Sequence, residues 1–484
     1  MRSLSDRDGI SHLITRRLGI DTRGLAALRI SIGLLILADL AIRATDLVAF
    51  YTDAGVLPRA VLFARFPTLG RLSIHALSGA VWVQWVLFGI AALVAIALVV
   101  GYRTRTVAVV SWILLVSLHL RNPVLLNAGD SLLRRLLFWG LFIPLGATWS
   151  IDAIDSDGSA DRVASVATAA ILLQVVLVYT VNAVLKLQSP LWLRGDAIRY
   201  VFGLDQLTVG FGDLLAGYPM LLETFDYLWL ALVIVSPLLL VMTGRRRTAL
   251  AGLFALMHLG MAMTMRLGLF PLVSIAALFP FLHSGVWDRV EARLGSVLHA
   301  RVDFPDVSAP GRPAIHPSQT TIARLHQAAS VLVVVLLVLV LYWNAATVGA
   351  VSLPKTVTDT VDPEAYRWDM FAPDPRGNDG WYVVPGRLES GDEIDAFHRR
   401  PVTWNRPPDL AATFPSHRWF VYLLDLLAPR NQPLRGPFAD YLCRRWNTKQ
   451  SPDLVNLSIY YVEEPVRLDG HELRRGIAVG GYSC

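Results

Sequence analysis

One stretch constrains this chain more than any other. VLVVVLLVLVLYW at 331–343 carries no charge, no glycine and no proline. A helix that is apolar on every side has no face to turn to water, so it is wrapped by protein or by lipid. Similar runs recur along the chain, roughly at 24–43, 79–101, 105–121, 125–147, 164–187, 222–243, 248–266, 266–283 and 325–349. About 20 apolar residues are enough to cross a bilayer as a helix. Lipid offers the backbone no hydrogen-bond partner, which leaves helices or a closed barrel, and continuous rather than alternating runs favour helices. Composition agrees: 54% of residues are hydrophobic and 17% charged, against about 25% charged in soluble domains. The expected fold is an all-α polytopic membrane bundle of about nine transmembrane helices, followed by a small C-terminal α+β domain. The least distinct boundary is between the seventh and eighth runs, where Arg266 and Gly268 mark a turn or break.

The formal charge is +6, and 41 of the 44 basic residues are arginine; the lysines are Lys186, Lys355 and Lys449. In an apolar chain this balance reads as the positive-inside rule rather than as nucleic-acid binding. The N-terminal segment 1–23 holds Arg2, Arg7, Arg16, Arg17 and Arg23. If it is cytoplasmic, nine spans also place Arg103 with Arg105, Arg245–Arg247 and the stretch from Arg289 to Arg324 on that side. The opposite stretch 188–221 has only Arg194 and Arg199. The loop 148–163 is acidic, but acidic residues count for little in this rule. The first run is long for a signal peptide and contains Arg29, so it reads as a retained anchor. The expected order is a cytoplasmic segment 1–23, a bundle of eight spans at 24–290, a cytoplasmic linker 291–324, a ninth span at 325–349 and an extracytoplasmic domain at 350–484 in the cell membrane. Outer loops 44–78 and 188–221 are long enough to fold back as interfacial helices. No internal repeat is evident.

After residue 350 the pattern changes. WYVVPGRL (381–388) and LVNLSIYYVEEPVRL (454–468) alternate like strands, and PSHRWFVYLLDLL (415–427) reads as a helix. Cys443 and Cys484 both fall here, outside any CxxC pair, and a disulfide between them is open. The segment RWDMFAPDPRGNDGWYV (367–383) is unusual for its two tryptophans, two prolines and three aspartates. It is either a proline-braced turn over packed aromatics or a partner surface built on Trp368 and Trp381.

Ionisable side chains inside spans are costly and need a reason. Lys186 is singled out because arginine supplies almost every other cation, and a buried lysine, unlike arginine, can lose its proton and act as a base. Its bland reading is an interfacial lysine at a helix end. Asp130 and Arg134 stand i, i+4 apart and read as a helical ion pair or, with Asn127 and His119, as the lining of a site. His119 and His258 read as hydrogen-bonded core residues. No metal-ligand spacing is present, and no GxSxG, P-loop or GxGxxG occurs.

Several of these stretches resemble a known family. RGLAALRISIGLLILADL with FYTDAGVLPR, then YRTRTVAVVSWILL, NAGDSLLRRLLFWGLFIPLGATWSIDA and VYTVNAVLKLQSPLWLRG resemble the HTTM superfamily over about 20–290. That superfamily includes the vitamin K-dependent gamma-glutamyl carboxylases. The resemblance implies Lys186 as the catalytic base that deprotonates reduced vitamin K or a related quinone at the outer face, in a carboxylase and quinone-epoxidase type of reaction on a peptide or lipid. The carboxylases carry a histidine after a Trp-Asn-Asn stretch; the matching position here is Gly129. Two readings therefore stand. One is a non-catalytic export or maturation factor whose outer domain binds a peptide or protein. The other is a carboxylase-like enzyme with a hydrophobic quinone-like ligand between its spans.

Overall fold

The structure is a computed structural model that describes residues 15–154, 160–298, 319–358, 368–468 and 474–484. The prolines of the expected linker, 305 to 317, and the first fourteen residues lie outside the described residues. The principal helices are α1 (Thr22–Ala44), α2 (Val81–Val100), α3 (Thr104–Arg121), α4 (Ala128–Gly140), α5 (Val166–Lys186), α6 (Pro219–Ile234), α7 (Gly244–Thr264), α8 (Phe270–Ala277), α9 (Ser284–Leu298), α10 (Gln319–Thr347), α11 (His417–Leu426) and α12 (Arg435–Asn447).

Five of the described helices are long and apolar enough to cross a membrane: α1, α2, α3, α5 and, over Gln327–Thr347, α10. A sixth counts if Phe270–Phe281 and Ser284–Arg293, bent by 109° at their junction, form one span. The other expected runs are shorter, broken or basic. The run at 125–147 keeps only the thirteen residues of α4 before turns around Pro144 and Gly146. The run at 222–243 breaks at Pro237 into α6 and Leu238–Val241. α7 begins in Arg245–Arg247, and α8 stops short of Pro280. Proline lacks the donor that continues a helix, and the continuous hydropathy of these runs hides such breaks.

Contacts sort the chain into two ends. At one end Ile20 pairs with Val163 in a two-stranded ladder of β1 (Ile20–Asp21) and β2 (Arg162–Val163). Arg23 bridges to Asp288 and Glu291 there. Asp152 accepts from the backbone of Arg103 and Thr104, and Arg247 donates to the carbonyls of Arg17 and Phe281. At the other end Arg43 meets Asp130, Arg121 donates to Leu57, Val209 bonds to Thr264 and Phe270 lies against Gly129. The segments carried by α1 to α8 therefore run alternately from one end to the other.

The C-terminal domain is an antiparallel sheet covered by helices. β6 (Leu454–Pro465) pairs with β3 (Asn378–Val383), with β4 (Pro385–Leu388) and with β7 (Arg475–Ser483); β5 (Glu393–Asp395) extends β4. Both expected strand stretches and the expected helix appear. Tyr382 on β3 donates to the carbonyl of Leu423 on α11 at 2.8 Å, and Cys443 on α12 is disulfide-bonded to Cys484, with Cα atoms 5.4 Å apart. One apolar core continues from the bundle into this domain. Phe50, in the short helix Leu47–Tyr51 that follows α1, lies 4.6 Å from Trp419 and 5.8 Å from Tyr422, ring to ring.

Candidate functional site

The domain docks on the second end of the bundle through a buried ion cluster. Asn127 caps α4: its Oδ1 accepts from the backbone N–H of Asp130, and Asp130 Oδ2 accepts from that of Asn127. The capping box frees Asp130 Oδ1 to take Arg43 Nη2 at 2.6 Å and Arg418 Nη2 at 2.8 Å. Asp39 takes Arg43 Nε at 2.6 Å and Arg418 Nη2 at 2.7 Å. All four side chains are buried. Two carboxylates and two guanidiniums cancel, which is the condition for burying charge at tolerable cost. His119 stands beside them, its Nε2 at 3.7 Å from Asp130 and its Nδ1 at 3.1 Å from Arg134. The ligand atoms of Asp39, His119 and Asp130 come within 4.8 Å of one another. The two arginines already neutralise these carboxylates, so a divalent cation here would be uncompensated.

Next to this cluster is a cavity of about 190 Å3. Bundle residues Trp229, Val233, Met257, Met261 and Phe270 wall one part; Met370, Phe371, His417 and Val421 of the C-terminal domain wall the rest. Polar side chains enter its wall in pairs. Tyr179 Oη is 3.0 Å from His258 Nε2, and Asn127 Nδ2 is 3.1 Å from His417 Nε2. Asn182 gives its amide hydrogens to the carbonyls of Trp368 at 3.2 Å and Met370 at 3.0 Å, which leaves its Oδ1 as an acceptor. Burial, followed by the neighbouring Arg418 charge, pushes His417 down to about 4, so its imidazole is neutral at pH 7 and can both donate and accept.

Lys186 ends α5 one turn beyond Asn182 and is fully buried. Its Nζ lies 3.0 Å from the ring centre of Trp192 and 4.9 Å from that of Trp229. Such contacts suit a cation, but Nζ has no hydrogen-bond partner among the described residues. Asp226 on α6 is also buried, and its Oδ2 accepts from Ile198 N–H at 2.9 Å. Trp229 is shared between the lysine and the cavity wall.

The family model of the HTTM domain matches residues 19–287, more than half of the chain. The chain belongs to the HTTM family. No curated protein and no solved structure matches it. The HTTM part thus supplies Asp39, Arg43, Asn127, Asp130, Tyr179, Asn182, Lys186 and His258. The residues beyond it supply Arg418, His417 and Phe371.

The residues expected from the sequence are only partly brought together. Asn127, His119, Asp130 and Arg134 converge, but the expected i, i+4 pair does not form: Asp130 turns to Arg43 and Arg418, and Arg134 to His119. Lys186 sits on the far side of Trp229 from the cavity-lining groups. Trp368 and Trp381 are both buried, so neither contributes exposed surface to a partner. Trp368 packs under Arg135 at 4.7 Å, and Trp381 belongs to a small core with Val383, Leu410 and Val462. The expected core histidine His258 is hydrogen-bonded to Tyr179, as a core histidine should be. The sequence reading missed Arg418, His417, Tyr179, Trp192 and Phe371. A charged and a polar residue opening the amphipathic helix 415–427 was the one available signal for the first two.

Proposed function

We propose that this protein is a multi-pass cell-membrane protein that binds a small lipophilic molecule between its HTTM bundle and an extracytoplasmic C-terminal domain. The cavity walled by both parts carries this reading: its lining is apolar and aromatic, with a few paired polar side chains that can orient a ligand. At about 190 Å3 it is smaller than the roughly 300 Å3 of drug-sized sites. It therefore suits a single ring system or one part of a longer molecule. The test is saturable binding of 1-naphthol to the protein in nanodiscs, read by tryptophan quenching, and its loss in Val233→Trp, which fills the space. Equal binding by both proteins would sink the reading.

The topology proposed is the expected one: segment 1–23 inside, eight crossings over 24–290, linker 291–324 inside, a ninth crossing at 325–349 and residues 350–484 outside. Three observations support it. The ends of α1 to α8 alternate. The end that holds Arg16, Arg17, Arg23, Arg103, Arg105, Arg162 and Arg245–Arg247 is the one richer in arginine and suits the cytoplasm. The disulfide suits an oxidising compartment. Shorter and broken segments are tolerated at membrane depth where protein covers them.

A second reading, the carboxylase-like enzyme, is favoured by one observation. Gly129 has no room for the family histidine, since a Cβ there would come 2.9 Å from Phe270 Cα. Yet His417 reaches Asn127, two residues away, from the C-terminal domain. In this reading Lys186 is the base toward reduced vitamin K or a related quinone, and His417 replaces the missing ring. Unchanged quinol epoxidation in both Lys186→Ala and His417→Ala would remove it. A non-catalytic export or maturation role would instead engage a peptide or protein through other surfaces of the outer domain than Trp368 and Trp381.

A further inference from the structure

The segment Trp368–Asp374 lies across the seam without regular structure, and its contacts with the bundle share one polarity. Asn182 donates to the carbonyls of Trp368 and Met370. Trp192 Nε1 donates to the carbonyl of Phe371 at 2.9 Å, and Ser189 Oγ donates to the carboxylate of Asp374. The bundle thus presents an array of donors, and the segment covers it with oxygens. Lys186 belongs to the same array: it is one turn from Asn182, and its Nζ rests on the ring of Trp192. It is the member for which the segment brings no oxygen. An ammonium offers three donors and no acceptor.

Phe371 holds the centre of this segment. Its φ is +55°, a left-handed conformation that a bulky residue rarely adopts and that persists only when the surroundings enforce it. Its ring lines the cavity and meets Trp229 at 6.3 Å, nearly perpendicular. Trp229 in turn stands 5.8 Å from Trp192 and 4.9 Å from Lys186 Nζ. The aromatic rings of Phe371 and Trp229 therefore separate the cavity from the lysine.

We propose that the cavity and the Lys186 pocket are two halves of one binding site, that residues 368–374 are a strap gating the second half, and that the ligand is a lipophile ending in an acceptor oxygen group, a carboxylate or acyl carbonyl. The apolar body occupies the cavity. When the strap lifts, the oxygen end takes the donors that the strap had covered, with Lys186 Nζ as a further donor among them. This inference rests on the ligand-binding reading of the cavity, but its test is separate.

The chain has three lysines, and Lys355 and Lys449 are exposed, so they serve as internal references. The protein in nanodiscs is treated with phenyl isothiocyanate, and labelling at each lysine is followed by peptide mass spectrometry. In the unaltered protein Lys186 should react far more slowly than Lys355. Ser189→Ala and Asp374→Ala each release one tether and should speed Lys186 labelling about tenfold, the shift in opening expected for one lost charge-assisted hydrogen bond. Phe371→Gly, which keeps the backbone conformation at no steric cost, should do the same; if it fails to fold, the two tether variants decide. Sodium laurate should slow labelling of Lys186 in Asp374→Ala and leave Lys355 and Lys449 untouched. Lys186 reacting as fast as Lys355 in the unaltered protein, or unchanged in folded tether variants, overturns the gate. No protection by laurate overturns the ligand class. Failure of 1-naphthol binding alone would remove the cavity reading and not the gate.

Discussion

Replacing Arg418 by Met tests whether one ion cluster holds the C-terminal domain on the bundle. Arg418 bonds Asp39 at 2.7 Å, both oxygens of Asp130, and the carbonyl of Leu125 at 2.9 Å. Removing it leaves two buried carboxylates facing Arg43 alone, a net uncompensated charge. Breaking a buried pair from one side costs roughly 3–5 kcal/mol. At about 1.4 kcal/mol per factor of ten, undocking should become roughly a hundred to a few thousand times more frequent. Local opening of this kind is read by amide hydrogen exchange. The amides of α11, His417–Leu426, should exchange faster by that factor, and those of α5 should not change. Adding Asp130→Asn to Arg418→Met removes the surplus carboxylate charge and should restore part of the protection. Exchange of α11 within tenfold of the unaltered protein would refute the idea that this cluster is the clasp; the apolar contacts of Phe50 with Trp419 and Tyr422 would then carry the docking.

Two further outcomes follow from the domain itself. Burial pushes Asp379 up to about 7, although it accepts from the backbone of Asp205 and Gln206. Between the ordinary carboxylate range and that value the folded state binds more protons than the unfolded one, so this group's stabilisation is complete in acid and is lost as pH rises toward 7. A thermal-melting series from pH 4 to 8 should show that loss, and Asp379→Asn should remove it. The Cys443–Cys484 bond joins residues 41 apart, for which chain-entropy reasoning gives about 4 kcal/mol. Cys443→Ser should accordingly melt the C-terminal domain first, and an unchanged melting profile would show that the sheet and α12 hold without the crosslink.

Much of the membrane character was legible because hydropathy is a local property. The apolar runs realised as α1, α2, α3, α5 and α10 needed no tertiary information, and period-two alternation was enough to place β3, β4 and β6. Helix breaks were less legible, since Pro144 and Pro237 sit in runs whose average hydropathy masks a missing donor. The candidate site was legible only as a list. Asn127 and Asp130 are joined by a capping box, a local device that spacing can suggest. The partners of Asp130 are Arg43 and Arg418, 87 and 288 residues away, and no periodicity links them. The sequence alone therefore determines that this is a membrane chain of the HTTM kind with a folded tail and an isolated lysine at a helix end. The tertiary structure decides that the tail closes a cavity, that a histidine reaches the bundle from outside the family domain, and that Lys186 is boxed by Trp192 and Trp229. The physical reason is that burial of apolar runs is decided residue by residue, whereas charge compensation and cavity walls depend on which distant segments the fold brings within hydrogen-bond reach.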